Sequence, residues 1–163
     1  MTTLNSTSLT ACAAASILTS GWAAGMSTGL SLFNIPTILT GGAPSGVMLR
    51  QWQFQFSRGK ATLPALAVLC AINYGTVAYH RWSRGLEWRG FAAAGASTLF
   101  IVPFTFAFIV RVNNALFAAL EGSGKTLSDA AIRALIKKWG DLNLGRAVFL
   151  VAGTGLALWN FCL

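Results

Sequence analysis

The first 49 residues carry no charged side chain, and Arg50 is the first to break the run. Two further uncharged stretches follow, 17 residues from Leu63 to Tyr79 and 21 from Gly90 to Val110. A fourth apolar stretch, from about Leu142 to Leu163, is interrupted by Arg146. A helix rises ~1.5 Å per residue and the hydrocarbon core of a bilayer is ~30 Å thick, so each run is about as long as one crossing. Lipid offers no partner to a backbone N–H or C=O, so only helices and closed barrels cross it. Barrel strands alternate in hydropathy, and these runs do not. The expected fold is all-α: an integral membrane four-helix up-down bundle, one transmembrane domain over residues 1–163. Its spans are expected at about 11–39, 63–79, 90–112 and 142–163.

Charge supports this reading. Only 10% of the residues are charged, against about 25% in soluble domains. Mean hydropathy is +0.61. Twelve Lys and Arg face four Asp and Glu, a balance that raises nucleic acid as a partner. The basic residues lie between apolar runs and form no single stripe, so nucleic acid is set aside. Cys12, Cys70 and Cys162 lie in apolar stretches without metal or disulfide spacing, and read as small core residues. With His80 as the one histidine, no metal site is expected.

The start of the chain lacks the basic segment of a cleaved signal, so the first span reads as retained. Gly21, Gly25 and Gly29 share a helix face that lets another helix approach closely, in the same chain or in a second copy. Pro36 and the Gly41–Gly46 run end that span. Pro64 is expected in the first turn of the second span, where a missing N–H costs little. Tyr79, Trp82, Trp88 and Trp139 sit where interfacial aromatics are found. Ser128 is placed to cap a helix, with Asp129 in its first turn. Ile132, Leu135, Ile136, Trp139 and Leu142 then recur at helical spacing. They predict a short interfacial amphipathic helix at about 128–140, before the fourth span.

Topology follows from charge. The first loop carries Arg50, Arg58 and Lys60. The third carries Lys125, Arg133, Lys137 and Lys138, edged by Arg111 and Arg146. The second has Arg81, Arg84 and Arg89. Loops one and three are therefore expected in the cytoplasm and both termini in the lumen of an endomembrane, endoplasmic reticulum or vesicle. Asn5-Ser6-Thr7 is then a lumenal glycosylation sequon of low specificity.

In such a bundle the first and third loops share one end, and the polar residues gather there. Trp139, Asn143 and Arg146 stand at i, i+4 and i+7 on one helix face, and Thr105 and Asn113 share a face of the third helix. A pocket lined by Thr105, Asn113, Trp139, Asn143 and Arg146 is expected, with Gln51 and Trp52 close by. The plainer account remains open from spacing alone: Arg146 snorkels to headgroups while the asparagines join helices. Ala119 to Thr126 reads A-x-x-x-x-G-K-T, but an apolar helix precedes it where a phosphate loop needs a strand. His80 reads as an interfacial residue away from the pocket.

These residues carry a resemblance. Gln51-Trp52, Phe56, Gly59, Pro64, Pro103-Phe104-Thr105, Asn113-Asn114-Ala115-Leu116 and above all Trp139-Gly140-Asp141-Leu142-Asn143-Leu144-Gly145-Arg146 resemble the small fungal anthrone oxygenases, over roughly Gly25 to Leu158. One departure is the pair Arg111-Val112, where the family pattern often has proline and threonine. The resemblance implies a cofactor-free monooxygenase that oxidises a polyketide anthrone to an anthraquinone. Molecular oxygen is the co-substrate, and no flavin, haem or metal takes part. It implies catalytic roles for Arg146, Asn143 and Asn113, which stabilise an oxyanion. Asp141 is the nearest candidate base, with water or the substrate's own phenolate as alternatives. Trp139, Trp52, Gln51 and Thr105 are expected to bind the flat substrate. Two other readings stand beside it: another polyketide tailoring enzyme on this scaffold, and a membrane anchor for a soluble pathway enzyme.

Overall fold

A run of 30 or more apolar and small residues with few prolines has one way to satisfy its backbone in lipid, and the chain takes it four times. A computed structural model describes residues 6–123 and 127–162. It contains helices α1 (Ser6–Thr40), α2 (Ser45–Trp82), α3 (Arg89–Glu121) and α4 (Asp129–Cys162), all long and apolar enough to cross a membrane. No strand occurs among the described residues. Asn5 of the sequon, and Gly124 to Thr126 of the phosphate-loop-like pattern, lie outside the described residues.

The helices are longer than the apolar runs that announced them. At 33 to 38 residues each, they measure roughly 50–57 Å. Helix α2 starts at Ser45, so Arg50 to Lys60 are helical and form no loop, and Pro64 lies inside the helix instead of in its first turn. The amphipathic segment and the fourth span are one continuous helix, α4. The cap is as expected, since Ser128 Oγ accepts from the Ala131 N–H at 3.3 Å. Tyr79 and Trp82 are exposed, but Trp139 is buried at 3% exposure and belongs to a core. Gly122, at φ +66°, ends α3 in the left-handed conformation that glycine adopts without strain.

Two of the helices carry π turns, Leu30–Asn34 in α1 and Thr105–Ile109 in α3. A proline lies near each, Pro36 and Pro103, and each removes one backbone donor from its helix. A π turn absorbs about one extra residue. The eight residues from Thr105 to Asn113 then span about two α turns, which keeps both on one face of α3.

The described residues form two compact units, each drawing on all four helices. The first takes its residues from Met1–Ala24, Leu63–Ile101 and Val148–Leu163. Its core holds Ile17, Cys70, Tyr74, Phe91 and Ala157, with small residues between. Helices α3 and α4 meet backbone to side chain: a Cβ on Gly153 would stand 2.5 Å from Thr98 Oγ1 and 2.9 Å from the Ala94 carbonyl. Hydroxyls join helices here, with Ser20 Oγ 2.8 Å from both Tyr74 Oη and Thr154 Oγ1. A Cβ on Gly21 would meet the Thr154 methyl at 3.6 Å, whereas one on Gly25 or Gly29 would have nothing within 4 Å. The expected glycine contact is therefore made at one of the three positions. Cys70 is buried, while Cys162 at the end of α4 is exposed and so is no core residue.

The second unit takes Gly25–Thr62 and Val102–Ala147. Its core is built on Ile35, Met48, Trp52, Leu116, Ile136 and Trp139. Arg133 of α4 ties the end of α1 in place, donating from Nη1 to the Leu39 carbonyl at 2.8 Å and from Nη2 to the Ala43 carbonyl at 3.2 Å. Those carbonyls have no partner within a helix, so a cation there meets both a hydrogen-bond need and the helix dipole.

Burial is inverted relative to a water-soluble fold. Leu18, Phe33, Phe106 and Trp159 are each about two-thirds or more exposed, whereas Ser16, Ser20, Ser27, Thr98, Asn113 and Asn143 are buried. Apolar side chains outside and polar ones inside, most of them hydrogen-bonded, suit lipid as the solvent. The chain is a multi-pass membrane protein.

Candidate functional site

The polar residues singled out at i, i+4 and i+7 of α4 meet in the second unit as a hydrogen-bonded chain. Trp139 Nε1 donates to Asn113 Oδ1 across α4 and α3 at 2.8 Å. Asn143 Nδ2 donates to the Trp139 carbonyl at 2.8 Å, and Arg146 Nη2 donates to Asn143 Oδ1 at 2.6 Å. Ser27 of α1 adds a contact to the Asn143 carbonyl at 3.4 Å. Asn143 is 1% exposed, and Arg146 is half-buried. The arginine thus turns inward to an asparagine, which the snorkelling account does not provide for.

Aromatic rings pack beside this chain. Trp52 meets Trp139 edge-on at 5.9 Å, meets Phe117 edge-on at 5.0 Å and stacks on Phe56 at 5.5 Å. Trp52 and Trp139 therefore fill a core together and leave no open slot between their faces. Phe56 and Phe117 belong to the same cluster. Phe56 was legible only through the resemblance, and Phe117 carried no polar or motif signal.

Two donors in this group are unpaired. Trp52 Nε1 and Arg146 Nε are buried without a hydrogen-bond partner. A buried unsatisfied polar group costs about 1–3 kcal/mol, so a fold keeps such groups where something else needs them. Each is an N–H donor, one from an indole and one from a guanidinium, and no carboxylate is among the hydrogen-bond partners of the chain of residues above. Chemically the arrangement favours an anion, an oxyanion above all.

Asp141 stands apart. It is exposed and pairs with Lys137 at 2.8 Å, one turn back along α4. Two residues from both Trp139 and Asn143 means about 200° around the helix, which turns it to the opposite face. Thr105 is half-buried at the start of its π turn.

Gln51 lines a different feature, a cavity of about 530 Å³ between the end of α1 and the start of α2. Asn34, Ile38, Arg50, Phe54 and Gln55 also line it. The Gln55 Oε1 atom is buried with no partner. Gln55 was visible in the sequence as one of three glutamines around Trp52, but only the structure shows its oxygen unpaired. Among the described residues, no three His, Cys, Asp or Glu side chains gather as a metal set.

Known proteins resemble the chain over most of its length. The anthrone oxygenase family model matches residues 52–156. The chain is 34% identical to Monooxygenase hypC of Dothistroma septosporum over 149 residues, 90% of this chain and 80% of that protein. It is 30% identical to Noranthrone monooxygenase of Aspergillus flavus, over 90% of this chain and 71% of that one. It is 33% identical to Anthrone oxygenase ptaC of Pestalotiopsis fici, over 80% of this chain and 96% of that one. No solved structure matches the chain.

Proposed function

The chain belongs to the anthrone oxygenase family, and from that premise we propose that it is a monooxygenase of polyketide secondary metabolism. It oxidises an anthrone to the anthraquinone with molecular oxygen. The names of its relatives, anthrone oxygenase and noranthrone monooxygenase, support the substrate class.

The chemistry asks little of a protein beyond binding and charge. The C10 methylene of an anthrone is acidic because its conjugate base is a delocalised, phenolate-like anion. That anion gives an electron pair to oxygen and, with a proton, forms a C10 hydroperoxide. Loss of water leaves the C10 carbonyl. One oxygen atom enters the quinone and the other leaves as water, so the balance closes without an added reductant, and no cofactor is required.

The observation that carries this reading is the pair of unpaired buried donors, Trp52 Nε1 and Arg146 Nε. Donors fixed in a dry site stabilise charge as it develops, without reorganising. Arg146 faces the anion, and Asn143 orients it, itself held by the Trp139 carbonyl. Asn113 orients Trp139, and Trp52 supplies the second donor. Thr105 borders the substrate, and Gln51 lines the separate cavity beside α1. With Asp141 exposed and bound to Lys137, the first proton goes to a substrate phenolate or to water. The chain acts as a single transmembrane domain in an up-down arrangement, embedded in an endomembrane with both termini lumenal.

Oxygen uptake by the detergent-purified chain tests the activity. Emodin anthrone is the substrate, chelator is present, and boiled protein corrects for spontaneous oxidation. Chelator-resistant uptake matched one-to-one by quinone is expected. A well-folded sample that shows no excess over the boiled control turns attention to the anchor role or to another polyketide.

A further inference from the structure

We infer that the cavity between the start of α1, the end of α2 and the end of α4 binds the headgroup phosphate of an anionic phospholipid, held by Arg81 and Arg84. The inference does not depend on the oxygenase reading. Every residue lining the cavity belongs to the first unit.

The sequence puts these arginines where headgroups lie. The uncharged run of α2 ends at Tyr79, and Arg81 and Arg84 follow closely. Cations that flank an apolar span sit at the level of the lipid headgroups. The fold then closes a cavity of about 230 Å³ around them. Leu9 of α1, Val77 of α2, Leu86 and Phe161 of α4 give it apolar walls. Its volume is below the ~300–1,000 Å³ of pockets that enclose a drug-sized molecule. It therefore suits a headgroup whose acyl chains stay in the bilayer, and not a whole ring system.

Charge identifies what the cavity takes. Arg81 Nε donates to the Glu87 carbonyl, and its guanidinium lies 5.6 Å from the centre of the Phe91 ring. These two contacts orient the planar fork, and its Nη nitrogens carry further N–H donors. Such a fork matches the oxygens of a phosphate bidentately. Neither guanidinium is sealed from a ligand, since Arg81 is half-buried and Arg84 exposed. No carboxylate is among the residues lining the cavity. Glu87, the acid nearest in sequence, turns to Arg89, accepting from its backbone N–H at 3.0 Å and standing 3.6 Å from its Nη1. Two cations without a carboxylate attract a phosphate and repel the ammonium of a zwitterionic headgroup. Phosphatidylglycerol therefore fits better than phosphatidylcholine.

The experiment uses the full chain, delipidated in detergent. It is titrated with phosphatidylglycerol, with phosphatidylcholine of the same acyl chains, and with inorganic phosphate. Native mass spectrometry counts bound lipid, and the melting temperature reports binding to the folded state. Wild type is expected to hold one phosphatidylglycerol about tenfold more tightly than phosphatidylcholine, the worth of one charge-assisted hydrogen bond. Arg81→Gln and Arg84→Gln should each weaken phosphatidylglycerol about tenfold and leave phosphatidylcholine little changed. Arg89→Gln removes the same charge from the start of α3, outside the cavity lining, and should change affinity by less than about twofold.

Equal affinity for the two lipids overturns the site. So does a loss in Arg89→Gln as large as in the cavity variants, because binding then follows net charge alone. A melting shift from inorganic phosphate equal to that from phosphatidylglycerol at the same concentration overturns the lipid as occupant. Arg81→Gln also loses the contact to Glu87. If that variant is misfolded by size exclusion and helicity, Arg84→Gln carries the test alone, and unchanged affinity there overturns the inference. None of these readouts needs turnover, so failure of the oxygenase reading and failure of this site are told apart.

Discussion

Arg146 shows how much one side chain can depend on its neighbours. One nitrogen of its guanidinium is committed to Asn143 at 2.6 Å, while Nε is buried and free. Removing the guanidinium should therefore cost transition-state stabilisation more than binding. Arg146→Met is expected to lower kcat about 100-fold with KM changed little, as for the loss of one oxyanion donor. Arg146→Lys should not restore it, because an ammonium cannot keep one donor on Asn143 and present a second in the same plane. Stopped-flow measurement of quinone absorbance separates kcat from KM. Normal turnover in Arg146→Met removes the residue from the mechanism. The i, i+4, i+7 spacing made the Trp139–Asn143–Arg146 face legible in the sequence. The same periodicity argues against Asp141 as base, since two residues along a helix is nearly half a turn around it.

At the level of elements, the site is set by how closely α1 and α4 approach. A Cβ on Gly140 would stand 2.9 Å from Ile35 Cγ2 and 3.2 Å from Ile35 Cβ. Ile35 is 3% exposed and branched at Cβ, so rotation of its side chain cannot clear the contact. Alanine normally gains ~1 kcal/mol over glycine in a helix interior, while overpacking costs ~1–3 kcal/mol. Overpacking should prevail: Gly140→Ala is expected to lower the melting temperature in detergent, and Ile35→Ala in the same chain to recover part of the loss. A melting temperature that rises in the single variant contradicts this packing. The glycine is visible in the sequence, next to Trp139, but its partner lies about a hundred positions away in another helix. The π turns were equally hidden. Prolines 36 and 103 marked irregularity, but where the extra residue is absorbed depends on the packing around each helix.

For the whole molecule, the basic residues make topology testable. Arg50, Arg58 and Lys60 lie in the N-terminal part of α2, Arg133, Lys137 and Lys138 in that of α4, and Arg81, Arg84 and Arg89 near the α2–α3 connection. By the positive-inside rule, the excess on the first two groups together predicts that those segments face the cytoplasm. In sealed microsomes, a C-terminal epitope is expected to resist added protease and to become sensitive when detergent is added. Digestion without detergent reverses the orientation.

Hydropathy by itself determined the number of helices and the lipid environment, because the cost of burying charge or unpaired backbone in hydrocarbon is large and local to each segment. Spacing along α4 determined the Trp139–Asn143–Arg146 face, because a helix has one period. Only the tertiary structure decided that Asn113 is the partner of Trp139, that Trp52 and Gln55 hold unpaired polar atoms, that Trp139 is buried, and that the charged stretch before Leu63 is helix. Each of these depends on which atoms of distant segments come within a few ångströms. No periodicity along one segment carries that information.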